Sequence, residues 1–146
     1  MDEKLERFYD AQKQDYACAL AEIQNGYKKT HWMWYIFPQI KGLGKSPTAQ
    51  YYSIEDLDEA IAFLNDPYLG DNLREISAEL LKKSTDNAED IFGYVDAMKL
   101  KSSMTLFHYA GEMSGDSSVF TVCYASTLTE NSTKRLLICL KTIECQ

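Results

Sequence analysis

Apolar side chains recur at helical spacing along most of the chain, and this periodicity constrains the fold more than any other feature. Asn25 and Gly26 follow the first such pattern, and an Asn-Gly pair is a typical helix stop because glycine readily adopts left-handed φ angles. The sequence therefore predicts a first amphipathic helix that ends just before Asn25. Its stripe consists of Leu5, Phe8, Gln12, Tyr16, Ala19, Leu20 and Ile23.

Two further helices are predicted in the middle of the chain. Ser53 is a candidate N-cap with Asp56 three residues on, and an apolar stripe from Leu57 to Leu64 follows. Asp66 is a candidate N-cap for the next helix, because Pro67 then occupies the first helical position, which proline favours. That helix runs to about residue 81, with lysines near its C-terminal dipole.

The second half of the chain is also helical in pattern. A helix over roughly 96–110 is predicted from the spacing of Ala97, Leu100, Met104 and Phe107. Residues 119–125 and 134–143 read as two closing helices, and strand signals are weak outside 32–37. A chain of 146 residues has the size of one domain. We predict an all-α fold, a compact single-domain bundle of about six or seven helices over residues 1–146.

Composition excludes several classes of protein. A net charge of −7 argues against a nucleic-acid partner, since that affinity comes mainly from neutralising phosphates. Charged residues interrupt every apolar run, so no membrane helix is expected. The N-terminus is acidic and polar, unlike a signal peptide, and we expect a cytoplasmic protein. Its four scattered cysteines form no C-x-x-C pair and predict reduced thiols; no metal site and no cofactor are expected.

Residues 31–46, HWMWYIFPQIKGLGKS, combine large aromatic groups with a glycine-rich loop. The end of this stretch resembles a P-loop, but Gln39 stands where the first glycine is required, and no βαβ context follows. Both faces of 31–37 are apolar whether it is a helix or a strand, so part of it is core and part could line a pocket. Gly44 is predicted to hold a positive φ in the turn.

Two segments of this acidic chain contain no acidic residue. Residues 23–54 include four lysines, and 97–111 include Lys99 and Lys101. If one anionic ligand explains both gaps, the two segments meet in space and share a cavity with Lys45. Burial of the aromatic residues is the simpler alternative explanation. On the helix over 96–110, Asp96, Lys99 and Ser103 share one flank, and Lys101, Thr105 and His108 share the other.

The blocks HWMWYIFPQ and KLKSSMTLF, together with EAIAFLNDPYLGDNLRE between them, resemble the bacterial domain-of-unknown-function 1810 family. The resemblance covers about residues 5–110 in order and spacing. It implies a compact all-helical fold, a single domain and importance for those two blocks. It implies no reaction. Lys101 stands where the family usually has arginine.

We therefore carry two hypotheses. In the first, a small anionic, ring-bearing and nucleotide-like metabolite binds an aromatic and lysine-rich pocket, with His31 or Asp96 as acid–base group if the site is catalytic. In the second, the same aromatic residues form an exposed patch for a protein partner, without catalysis. The candidate ligand-binding residues are Trp32, Trp34, Tyr35, Gln39, Gly44, Lys45, Ser46, Lys99, Lys101, Ser102, Ser103 and Thr105.

Overall fold

The computed structural model describes residues 3–82 and 89–114. A short 3₁₀ turn, Glu3–Leu5, leads into six α-helices within these residues. They are α1 (Glu6–Gln24), α2 (Met33–Ile36), α3 (Pro47–Tyr51), α4 (Leu57–Asn65), α5 (Pro67–Leu81) and α6 (Glu89–Ser114). The all-α prediction is confirmed. The two helices predicted over 119–125 and 134–143 lie outside the described residues.

The first helix ends as its sequence predicts. Asn25 is the C-cap of α1, and Gly26 has a φ of 86°. Residues 31–37 could have formed a strand by their pattern. Within them, Met33–Ile36 form the single turn of α2 instead. The part of the chain that the structure describes contains no strand, only an isolated parallel bridge between Ile40 and Ile54.

One aspartate joins α4 to α5. Asp66 caps the C-terminus of α4, and its side chain accepts hydrogen bonds from the N–H groups of Tyr68 and Leu69 at the start of α5. Pro67 occupies the first position of α5, as predicted. Because one residue ends one helix and begins the next, the two axes meet at a tight corner.

The N-cap of α4 differs from the prediction. Asp56, rather than Ser53, caps this helix, and its carboxylate accepts from the N–H of Glu59 at 2.8 Å. The hydroxyl of Ser53 donates instead to the carbonyl of Gln50, at the end of α3. Sequence patterns did not predict α3, a five-residue helix whose N-cap is Ser46.

The helix predicted over 96–110 lies inside the longer α6. Gly93 interrupts α6 with φ 77° and ψ 171°, a conformation that glycine tolerates best. Helix α6 packs against α4 and α2, while α1 packs against α5 and α2. The largest fully buried side chains of the shared core include Phe8, Trp32, Phe37, Phe63 and Phe107.

Two glycines are sites of close approach. A Cβ on Gly70, in the first turn of α5, would lie 2.1 Å from the carbonyl oxygen of Leu64. A Cβ on Gly44 would lie 2.5 Å from the Cβ of Ala49 in α3. The prediction of a positive φ at Gly44 is wrong; the glycines with positive φ in the described chain are Gly26, Gly42 and Gly93. Gly44 is therefore constrained by packing.

We expect Gly70→Ala to destabilise the protein by roughly 1–3 kcal/mol, the usual cost of overpacking, despite the better helix propensity of alanine. The Leu64 carbonyl belongs to the backbone of the corner and cannot move aside. Gly44→Ala is the comparison variant, because its new Cβ would lie farther from its nearest atom, the Cβ of Ala49, than the Gly70 Cβ would lie from the Leu64 carbonyl oxygen. Urea unfolding of both variants measures the difference, and a Gly44→Ala loss equal to or larger than the Gly70→Ala loss would contradict the packing argument.

Candidate functional site

The carboxylate of Glu22, on α1, fixes the segment between α1 and α2. Its Oε1 accepts from the backbone N–H groups of Lys29 at 2.6 Å and Thr30 at 3.0 Å, and from the indole N–H of Trp32 at 3.0 Å. Its Oε2 accepts from the hydroxyl of Thr30 at 2.6 Å and the thiol of Cys18 at 3.2 Å. A buried carboxylate is stable only with such partners, and here both oxygens are satisfied.

These contacts set the charge of Glu22. Burial alone raises the pKa of this carboxyl group, but the hydrogen bonds from Thr30, Lys29 and Trp32 outweigh burial and lower the pKa to about 2. Glu22 is therefore ionised throughout the neutral range. Sequence patterns contain no direct sign of this role, because Glu22 precedes the segment that it holds.

The segment held by Glu22 brings Lys28 against α6. The Lys28 N–H donates to the carbonyl of Ile91 at 2.8 Å, and the Lys28 ammonium lies 2.7 Å from Oδ2 of Asp96. The ammonium of Lys99 lies 3.6 Å from the other oxygen, Oδ1, of the same aspartate. The side chain of Lys28 is only 6% exposed, whereas that of Lys99 is 23% exposed. One carboxylate thus faces two cations.

Trp34 lies beside this group. The Lys99 ammonium is 4.9 Å from the centre of the Trp34 ring, a distance typical of a cation–π contact. Trp34 is partly buried, and the exposed His31 has its ring centre 6.5 Å from that of Trp34. We call Lys28, His31, Trp34, Asp96 and Lys99 the Trp34 surface. It joins the two acid-free segments across more than sixty positions of sequence.

The other two aromatic candidates point elsewhere. Trp32 is 1% exposed, and its ring packs against Phe37 and Phe92 in the core, so it does not form an open stacking wall. Tyr35 is 7% exposed; its hydroxyl donates to Asp15 on α1, away from the Lys99 contact. A buried indole needs a partner for its N–H, and Glu22 supplies one for Trp32.

The glycine-rich loop uses its polar groups locally. Ser46 accepts from the N–H of Ala49 as the N-cap of α3, and the carbonyl of the exposed Lys45 accepts from the side chain of Gln50. The carbonyl of Gln39 accepts from the N–H of Ile54, within the isolated bridge. The contacts of Lys99 are with Asp96 and Trp34. The cavity that Lys99 or Lys101 is predicted to share with Lys45 stays a prediction.

The hydroxyl groups of α6 are also engaged within the helix or buried. Ser102 donates to the carbonyl of Met98 at 3.2 Å, and Thr105 donates to that of Lys101 at 2.7 Å, the usual back-bonding of such residues in helices. Ser103 is fully buried. Lys101 is partly buried, on the other flank from Lys99. The hydroxyls of Ser102 and Thr105 are therefore satisfied within α6, and Ser103 has no exposed surface to offer a ligand.

The described part of the chain supports neither a metal site nor a membrane-spanning helix. Residues 3–82 and 89–114 contain no group of three or more His, Cys, Asp or Glu side chains that could hold a metal ion. Among the helices described, none is long and apolar enough to cross a membrane.

Comparison with known proteins agrees with the fold and with the two specific sequence blocks. The model of a family described as protein of unknown function (DUF1810) matches residues 2–137, and the chain belongs to this family. The fold is similar to the crystal structure of the conserved hypothetical protein Rv1873 from Mycobacterium tuberculosis, with a TM-score of 0.82 and 37% sequence identity. The similarity covers 94% of this chain and 96% of the other. No curated protein matches the chain.

We expect Glu22→Gln to lose roughly 3 kcal/mol of stability at pH 7, the equivalent of lowering the pKa from 4.5 to about 2. A group with a lowered pKa stabilises the fold fully above pH 4.5, and this contribution is lost as the pH falls towards 2. The stability difference between wild type and Glu22→Gln should therefore shrink over that interval.

Urea unfolding between pH 7 and pH 2.5 measures this difference. Glu55→Gln is the control, because its exposed carboxylate lies 3.9 Å from Lys41 and is screened by water. A difference that stayed constant with pH would show that Glu22 acts through its shape alone.

Proposed function

We propose that the protein binds a small anionic, ring-bearing molecule of nucleotide-like chemistry at the Trp34 surface. The observation that supports this most strongly is the charge balance around Asp96. Lys28 lies 2.7 Å from this carboxylate and suffices to neutralise it. Among the residues that the structure describes, the charge of the more exposed Lys99 is then in excess, beside a partly buried indole.

Such an arrangement suits a ligand with two parts. The phosphate or carboxylate group of the ligand pairs with Lys99, and a lysine near an anion typically forms charge-assisted hydrogen bonds. A planar ring packs on Trp34 or on the nearby imidazole of His31. In this proposal Asp96 orients Lys99 and Lys28, because its carboxylate already has two cationic partners. His31, being exposed, is the candidate acid–base group if the bound molecule reacts.

A protein-interaction surface is the second candidate, and exposure of apolar groups favours it. Tyr27, Tyr94 and Val95 are 57%, 66% and 65% exposed, and they adjoin Lys28 and Asp96 in sequence. Exposed apolar groups around a charged centre are typical of binding surfaces for proteins. Here Lys99 would meet an acidic side chain of the partner instead of a small anion.

We expect adenosine monophosphate to raise the melting temperature and to change the fluorescence of Trp34, because a ligand that binds only the folded state stabilises it. Adenosine and inorganic phosphate, tested separately, should act more weakly, since each offers one of the two parts. Lys99→Met should weaken binding by about tenfold or more, the usual loss for one charge-assisted contact.

Two variants control this experiment. Lys45→Met removes the same charge from the exposed loop and should leave binding unchanged. Trp34→Phe assigns the fluorescence change, because the chain has two tryptophans and Trp32 is buried. Equal losses in Lys99→Met and Lys45→Met, or no response to any of the three compounds, would contradict the proposal and favour the protein-interaction surface.

A further inference from the structure

A concave surface lies between α1 and the two short helices α2 and α3, apart from the contacts of Lys99. It is a polar cleft of about 210 Å³, a space for roughly seven water molecules at about 30 Å³ each. We call it the tyrosine cleft. The lining residues that matter here are Arg7, Asp10, Asp15, Tyr35, Tyr51 and Tyr52.

The one basic side chain in this lining is already occupied. The Arg7 guanidinium lies 2.8 Å from the carboxylate of Glu59, with which it forms an ion pair. Its remaining N–H groups donate to the backbone carbonyls of Tyr51 at 2.7 Å, Ser53 at 2.9 Å and Lys4. Arg7 therefore ties α1 to the end of α3 and to α4, and its positive charge is balanced outside the cleft.

Neither aspartate has such an ion pair, and the exposed Lys13 on the same helix interacts electrostatically with Asp10 without forming one. Within residues 3–82 and 89–114, no basic side chain forms an ion pair with Asp10 or Asp15. Asp15 accepts a hydrogen bond from the hydroxyl of Tyr35, a neutral donor. Burial and then this hydrogen bond raise the pKa of Tyr35, so the hydroxyl stays protonated. Among the described residues that line it, the tyrosine cleft therefore has two carboxylates and, apart from the already paired Arg7, no cation.

Three tyrosine rings also form part of the wall. The rings of Tyr35 and Tyr52 have centres 5.0 Å apart, and those of Tyr51 and Tyr52 are 4.8 Å apart and nearly perpendicular. Tyr51 is 60% exposed, so part of its ring faces solvent at the rim. Aromatic faces attract cations through their negative quadrupole, and carboxylates attract the same charge. The concave shape brings both kinds of group to one occupant.

From this combination we propose that the tyrosine cleft binds a small organic cation with a primary ammonium group, such as an aliphatic diamine. The ammonium donates to Asp15 and Asp10, and its methylene groups pack on the rings of Tyr51 and Tyr52. An anion is disfavoured there by the two carboxylates. The two proposed sites use different residues and take opposite charges, so each is tested separately.

The experiment is a titration with 1,4-diaminobutane, followed by calorimetry and by amide chemical shifts. We expect saturable binding, with the shifts concentrated at the cleft residues of α1 and α3. Neutral 1,4-butanediol has the same length and should not bind. Asp15→Asn should weaken diamine binding by about tenfold or more, because the ammonium loses a charged acceptor while Tyr35 keeps a hydrogen-bond acceptor.

Asp71→Asn is the matched control, since it removes one negative charge from a side chain on α5 that is 78% exposed. This control matters because an acidic protein attracts any diamine weakly. Equal losses in Asp15→Asn and Asp71→Asn would show only general charge attraction and would overturn the proposal. Binding of the diol as strong as that of the diamine, or no saturable binding of the diamine, would also overturn it.

Discussion

The hydrogen bonds to Glu22 are the contacts on which the arrangement of the candidate site depends. Residues 28–32 have no helical or strand hydrogen-bond pattern of their own, so their backbone N–H groups need an acceptor. One buried carboxylate satisfies two of these groups, a hydroxyl and an indole at once. Trp32 is thereby fixed in the core, and Lys28 is fixed beside Asp96. A neutral side chain could not accept from so many donors, which explains why an ionised group lies in this interior position.

The distribution of charge in the sequence follows from the same arrangement. Residues 23–54 and 97–111 contain no acid, yet their lysines are not left to repel one another, because Asp96 at the edge of the second segment lies between Lys28 and Lys99. A buried lysine such as Lys28 is stable only when paired, so Asp96 is needed for the fold as well as for any ligand. Burial therefore accounts for Trp32, and the proposed anionic ligand concerns only the more exposed Lys99.

The sequence predicted the elements whose signals are local. The Asp66-Pro67 start of α5 and the Asn25-Gly26 end of α1 depend on adjacent residues, and both are confirmed. The pattern of α6 predicted one buried face, but α6 packs against both α4 and α2, so Ser103 and Thr105 are buried as well. Which of the two tryptophans is the more exposed depends on Glu22, ten residues before Trp32, because Glu22 accepts the indole N–H of Trp32 in the core. Periodicity carries no information about such a contact.

The four-residue helix α2 links the two proposed sites. A helix of one turn is unstable alone, so its position must come from its neighbours. Glu22 of α1 holds the segment that leads into the N-terminal end of α2. The buried amide of Gln12, also on α1, donates to the carbonyl of Tyr35 within α2 at 2.9 Å. Trp34 then lies beside the lysines of one site while its neighbour Tyr35 lines the tyrosine cleft. Successive residues of a helix point about 100° apart, which is why one turn serves two surfaces of opposite charge. The long helix α1 therefore positions an element too short to position itself.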